Sequence, residues 1–348
     1  MRAFTCPHCS ALVFFENSVC LTCATAIGYS RAEGAFVEAA GRTRCANRSL
    51  ATCNWFAEDD GPLCGCCALT RTRPRDDDAE GLEAFALTEA AKRRLVYQLD
   101  DLGLPVVGRD VDPEGGLAFD LLSSANEPVV TGHANGVVTL DLAEGDAGHR
   151  ERLRIQLAEP YRTLLGHLRH ETGHWYWEVL VDRPGRGEDF RAVFGDERAD
   201  YGEALQRHYD SNPPANWGDT FVSTYATAHP WEDWAETFAH YLHIRDTSQT
   251  AAAFGVVVNG PQNVQVRPDE GLVSEPQEAS SDFAGIVAAW LPLTYALNAV
   301  NRSMGTTDLY PFVLAPAVLD KLRFVHDLVT ADRAYLPAEP AEPTAVAG

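Results

Sequence analysis

The chain has 348 residues, enough for one large domain and a small appended one. Its 28 basic and 50 acidic side chains leave a net charge of −22, which argues against nucleic acid or an anionic membrane surface as the main partner, because binding phosphate runs on positive charge. Hydrophobic residues make up 45% of the chain and include seven Trp, so a sizeable core can be buried.

The opening stretch "MRAFTCPHCS" runs directly into a cysteine motif, without the apolar run of a cleavable secretory signal. It predicts a chain that stays in the reducing cytoplasm. All nine cysteines lie between residues 6 and 67. Cys6-Pro-His-Cys9 and Cys20-Leu-Thr-Cys23 form two CxxC knuckles, a spacing that puts four thiolates around one tetrahedral zinc. Disulfides are disfavoured in a reducing compartment. Cys64-x-x-Cys67 is a third knuckle, and Cys45 with Cys53 completes a second four-cysteine set, leaving Cys66 over. An iron–sulfur or redox role fits this irregular set less well than zinc. Four thiolates leave no open coordination position, so these zincs are expected to be structural and to supply much of the folding energy of a module with little core. Residues 1–75 are therefore expected to form a zinc-ribbon module with one or two such sites.

The polar stretch over 76–82 reads as a linker to a main domain spanning 83–335. "LEAFALTEAAKRRLVYQLDDLG" has helical apolar spacing and ends at Gly103. "EPVVTGHANGVVTLDL" alternates on both sides of "ANG", which predicts a hairpin or an edge strand. The run at 283–300, "FAGIVAAWLPLTYALNAV", is long enough to span a membrane, but Pro292, Thr294, Tyr295 and Asn298 interrupt it and predict a core helix instead. The Pro/Ala/Glu-rich residues 336–348 read as a disordered tail.

Between the hairpin and that run lies "LLGHLRHETGHWYWEVLVD", residues 164–182. His170 and His174 stand four apart, one turn along a helix face, where two imidazoles can share a zinc. Glu171 projects about 100° around from His170, which suits a general base rather than a ligand. His167 stands about 10 Å along the axis from His174 and suits a supporting role behind the ligands, contact with substrate, or plain packing. A hydrolytic zinc needs a third protein ligand and one open position. "PWEDWAETFAHYLHIRD" supplies Glu232 and Glu236, four apart, with His240 continuing the face. One carboxylate is expected on the metal and the other on the free N–H of a ligand imidazole; either glutamate fits either task by distance. Trp231, Trp234 and Phe238 around them predict burial, and buried carboxylates need partners.

"HETGH" followed about sixty residues later by "EDWAETF" resembles a gluzincin metallopeptidase, particularly the lethal-factor-like branch, where a tyrosine stands seven residues before the ligand glutamate, as Tyr225 stands before Glu232. With "FGDERADYGEAL" and the cysteine block, most of the chain resembles bacterial zinc-binding metallopeptidases that carry an N-terminal zinc ribbon. The resemblance implies an α+β, zincin-like domain, largely helical with a small sheet. It implies zinc on His170, His174 and Glu232, with Glu171 as base, Tyr225 on the oxyanion and Glu236 behind the ligands. The implied reaction is zinc-dependent hydrolysis of a peptide or isopeptide bond. A peptide lying on the strand at 136–142 is the expected substrate pose. The ribbon is expected to bind a protein partner or position substrate; its Arg side chains make only a modest basic surface against the acidic body. The alternative is a non-catalytic zinc-binding adaptor, which would have no use for Glu171 or Tyr225.

Overall fold

The computed structural model describes residues 2–58, 61–125, 127–156, 159–211, 213–259, 273–274, 282–331 and 334–338. In the ribbon, β1 (Phe4–Thr5) pairs antiparallel with β2 (Leu12–Val13), and β3 (Ile27–Ser30) with β4 (Ala35–Glu38). The first two knuckles repeat one hydrogen-bond pattern. Ser10 N–H donates to Cys6 O and Ala24 N–H to Cys20 O, each at 2.9 Å, with φ of +59° at Ser10 and Ala24. The ribbon core is aromatic: Phe4, Phe15, Tyr29, Phe36 and Trp55 are buried together.

That core is completed by the main domain. Next come β5 (Thr70–Thr72) and α1 (Ala79–Asp101), whose N-cap Asp78 accepts the Gly81 N–H at 2.8 Å. Helix α1 thus begins inside the stretch expected to be a linker, and only a short turn separates it from β5. Tyr97 of α1 inserts among the ribbon aromatics, 5.1 Å from Phe15 and 5.6 Å from both Phe4 and Tyr29. Arg31 makes a bidentate pair with Asp100, 2.8 Å at each nitrogen. The module and the domain are fused by packing.

Strands β6 (Ala118–Leu122), β7 (Gly132–Ala134) and β8 (Val137–Asp141) join β5 in a four-stranded mixed sheet of order β5-β6-β8-β7. The β5/β6 and β6/β8 pairs are parallel and the β7/β8 pair antiparallel. The expected hairpin is present, turned by Asn135 and Gly136, both at positive φ. One expectation is corrected. The strand at 136–142 is β8, flanked by β6 and β7, so it has no free edge; the edge strands of this sheet are β5 and, next to β8, β7.

After α2 (Ala147–Gln156), α3 (Leu164–Trp177) starts at Thr163, whose Oγ1 accepts the Gly166 N–H at 3.0 Å, and runs on as a π turn over Glu178–Asp182. Then follow α4 (Gly187–Phe194), α5 (Tyr201–Asp210) and α6 (Pro230–Ala253). Short strands β9 (Val258–Asn259) and β10 (Val273–Ser274) pair antiparallel, and α7 (Phe283–Ser303) and α8 (Pro316–Thr330) close the order. About 47% of the described residues are helical, an α+β architecture with the ribbon in front.

Helices α3 and α6 form the centre. Gly173 lets them approach closely: a Cβ there would stand 3.3 Å from Ala235 Cα and from Phe238 Cδ1. Trp234 Nε1–H donates to Gly173 O across the contact at 2.8 Å. Helix α7 is long and apolar enough to cross a membrane, yet it buries Phe283, Ile286, Trp290 and Leu293 in the shared core while Tyr295 and Val300 face outward. It is a half-buried helix rather than a wholly internal one. Of the expected tail, 336–338 are fastened: Leu336 O accepts from Arg183 at 3.0 Å and Ala338 N–H donates to Asp112 at 3.0 Å. Residues 339–348 lie outside the described residues.

Candidate metal centres

In the ribbon, Cys6, Cys9, Cys20 and Cys23 converge, as do Cys45, Cys53, Cys64 and Cys67, each set within 4.8 Å. The Cys6–Cys23, Cys9–Cys20 and Cys53–Cys64 sulfurs are each 3.7 Å apart. A tetrahedron built on Zn–S bonds of about 2.3 Å has edges of about 3.8 Å, so the spacing fits a zinc and is far too long for a disulfide. Backbone amides support the second set: Cys64 N–H points at Cys45 Sγ and Cys67 N–H at Cys64 Sγ, both at 3.4 Å. The two sets sit in different settings. Cys9 of the first is exposed, whereas all four sulfurs of the second are buried against α1. There Glu89 and Lys92, both fully buried, pair at 2.6 Å, and Glu89 also lies 3.5 Å from Cys67 Sγ. Arg93 donates to Ala51 O at 3.0 Å. Buried Lys92 and Arg93 offset part of the negative charge that four thiolates impose. Cys66 is fully buried beside this set, and burial raises its thiol pKa.

The third centre lies between α3 and α6. His170, His174 and Glu232 bring one ligand atom each within 4.8 Å of one another, and all three are buried. His170 Nε2 is 3.0 Å from Glu232 Oε2, and His174 Nε2 is 3.5 Å from Glu232 Oε1. The other nitrogen of His170, Nδ1, faces Glu236 Oε1 at 2.7 Å, and Ser223 Oγ–H donates to Glu236 Oε2 at 2.6 Å. The two glutamates left open by distance alone therefore occupy different places: Glu232 beside both imidazole Nε2 atoms, Glu236 behind one ring. Burial pulls the pKa of His170 down, but Glu232 and Glu236 outweigh it and raise it well above the ordinary histidine value. Burial likewise raises the Glu236 carboxyl, and the pairing with His170 outweighs it, leaving it at about 2. Two carboxylates facing the imidazoles make a centre short of positive charge. A dication fits that donor set.

Tyr225 packs beside the centre, its ring 5.9 Å from that of His170. Burial, then the Glu232 charge, raise its pKa far above the ordinary phenol value, so it stays protonated. Glu171 stands at the partly exposed edge of α3, and its charge reaches both Tyr225 and Tyr201. His167 turns elsewhere: its Nδ1 is 3.4 Å from Glu144 Oε2, on the side of the domain held by Arg162. His240 does continue the α6 face, and it bonds Tyr310 OH at 2.8 Å; burial lowers its pKa to about 4.

Beyond Trp231, whose burial was expected, several neighbours were not assigned to the site from the sequence. Tyr201 OH donates to Glu232 Oε1 at 2.6 Å. Trp231 lies 4.1 Å from the His174 ring, and His133 of β7 stacks 6.1 Å from it. His229 caps α6, its Nδ1 accepting the Trp231 N–H at 3.1 Å. Tyr201 and Ser223 stand 31 and 13 residues from their glutamates, distances that no periodicity links.

A helix pair presenting two histidines and a glutamate, preceded by a four-cysteine ribbon, defines a zinc-binding protein of the metallopeptidase type, with two structural centres and a His2Glu centre. The comparisons agree: the sequence profile described as "Putative zinc-binding metallo-peptidase" matches residues 81–328, and a zinc-ribbon domain profile matches residues 3–78. The chain belongs to this zinc-binding metallopeptidase family. It is 52% identical over 335 residues to proteins of Mycobacterium tuberculosis (strains H37Rv and CDC 1551) and Mycobacterium bovis, each named an uncharacterized protein, with 94% of this chain and 95% of each relative covered. No solved structure matches the chain.

Proposed function

We propose that the protein is a zinc peptidase of the HExxH gluzincin type, acting on a peptide or isopeptide bond in the reducing cytoplasm. The observation that carries this reading is the convergence of His170, His174 and Glu232 within 4.8 Å, with Glu236 behind His170 and Tyr225 beside it. Bound there, zinc supplies Lewis acidity, which polarises the scissile carbonyl and acidifies water.

The chain's own residues do the rest. Glu236 accepts from His170 Nδ1–H, which fixes the tautomer that leaves Nε2 free to ligate. Glu171, about 100° around α3 from His170, takes the proton of the attacking water and passes it to the leaving amine. The protonated Tyr225 phenol donates to the developing oxyanion. Edge strand β7 has no strand partner on its outer side among the described residues, and its His133 ring lies against His174. An extended peptide pairing along β7 passes over the centre. The ribbon, fused to the domain through α1, is suited to holding a protein substrate or partner.

The test is Glu171→Gln in the full-length chain, assayed on a peptide library with zinc counted by native mass spectrometry. We expect three zincs per chain and a loss of hydrolysis of about 10²–10⁴-fold. Retained hydrolysis would exclude Glu171 as the base. A wild-type chain with three zincs and no hydrolysis of any library or protein substrate would point to the adaptor role.

A further inference from the structure

Glu232 offers the centre both of its oxygens: Oε2 stands 3.0 Å from His170 Nε2 and Oε1 stands 3.5 Å from His174 Nε2. A carboxylate so placed can chelate a metal through both atoms, which would take up the coordination position that a hydrolytic centre must keep open. One contact opposes this. Tyr201 OH donates to Oε1 at 2.6 Å.

The contact is built rather than incidental. Tyr201 is the first residue of α5, whose N-cap Asp200 accepts the Glu203 N–H at 2.8 Å. His229 ties this start to the start of α6. Its Nδ1 accepts the Trp231 N–H at 3.1 Å, which leaves the proton on Nε2, and Nε2–H donates to Ala199 O at 3.1 Å. The Tyr201 ring meets the His229 ring edge-on at 5.3 Å and Trp231 at 6.0 Å. One imidazole thus sets the distance between the backbone two residues before Tyr201 and the first turn of α6, which carries Glu232.

We propose that Tyr201 is a positioning residue that makes Glu232 a one-oxygen ligand, its hydroxyl occupying Oε1 so that Oε2 alone faces the zinc. His229 holds Tyr201 at that task. This rests on the reading of His170, His174 and Glu232 as the zinc ligands. The role is distinct from that of Tyr225, which serves the oxyanion and makes no hydrogen bond to Glu232 among the described residues. Loss of the Tyr201 hydroxyl frees Oε1 to swing onto the metal, while the two ribbon centres stay as they are.

The experiment uses the full-length chain and its Tyr201→Phe variant, with two readouts that do not depend on turnover. The first is zinc affinity at the third centre, by competition with a chromophoric chelator, the two ribbon zincs serving as an internal check on folding. The second is the visible d–d absorption of chain carrying Co²⁺ at that centre. We expect a weaker cobalt absorption as the coordination number rises, and a zinc affinity changed by about 10–100-fold, the usual size of the effect when a partner of a metal ligand is removed. His229→Ala should reproduce both changes in part. Wild-type affinity or an unchanged cobalt spectrum in Tyr201→Phe overturns the proposal. If the wild-type chain itself carries only the two ribbon zincs, the ligand reading fails, and this proposal falls with it for a recognisably different reason.

Discussion

The two ends of this chain gather metal ligands in opposite ways. In the ribbon, two CxxC knuckles build the whole first set within eighteen residues, each closed by its own turn with a left-handed residue after the second cysteine. In the main domain, the candidate ligands sit on α3 and α6, 62 residues apart at His170 and Glu232, and meet where the helices pack closely at Gly173. The second cysteine set lies between these extremes. Its sulfurs come from the ribbon, but its floor is Glu89, Lys92 and Arg93 of the main domain. A centre assembled by local turns tolerates disturbance of the fold around it; a centre assembled by helix packing reports on that fold directly.

The largest expected effect breaks the middle case. Cys64→Ser removes a ligand that also accepts the Cys67 N–H, and it leaves the buried Lys92 and Glu89 facing a broken centre. Because structural zinc carries much of the folding energy of such modules, thermal unfolding followed by circular dichroism should show a strongly destabilised chain with a zinc lost. A wild-type melt would mean that the second set is not a filled centre.

Next in size is the contrast between the glutamates. Glu232→Gln should lose the third zinc and keep two, by native mass spectrometry. Glu236→Gln should keep three but bind the third about 10–100-fold more weakly, since it removes only the partner of His170 Nδ1. The reverse result would exchange their roles.

A smaller effect should separate local from packed assembly. Gly173→Ala pushes a methyl against the Ala235 backbone and the Phe238 ring, at a cost of about 1–3 kcal/mol in thermal or denaturant unfolding. It should loosen the third zinc while both ribbon zincs hold. Equal losses at all three centres would contradict the distinction.

The smallest effect concerns acid stability. Burial raises the Glu144 carboxyl, but His167 and then Arg162, 2.5 Å away, outweigh it and hold it at about 2. A depressed carboxyl pKa contributes stability that is full above the ordinary carboxylate range and is lost as the pH falls from about 4.5 towards 2. Glu144→Gln should therefore flatten the acid limb of a stability-against-pH curve over that window and lower stability modestly near neutrality. An unchanged acid limb would show that the pair contributes nothing there.

Much of the site was legible because its residues obey short-range rules. CxxC spacing, the four-residue step from His170 to His174 and the same step from Glu232 to Glu236 are all set by local backbone geometry. The hairpin was legible for the same reason, from Asn135-Gly136 between alternating strands. Its place in the sheet was not: β8 became interior because parallel β6 lies beside it, a pairing between strands with β7 between them in the chain, which no local pattern announces. Equally, no local rule brings Tyr201 to Glu232 or turns His167 towards Glu144.

By itself, the sequence marked the chemistry: the side chains expected to ligate, one four-cysteine set with a second beside it, and a histidine pair with two candidate glutamates on helices. Those facts follow from residue type and periodicity, which act over a few residues. Only the tertiary structure decided which glutamate faces both imidazoles, which strand of the hairpin lies at an edge of the sheet, and that ribbon and main domain share one aromatic core through Tyr97. Those choices are settled by how closely two helices approach and which faces they bury, and close packing is a property of the assembled chain.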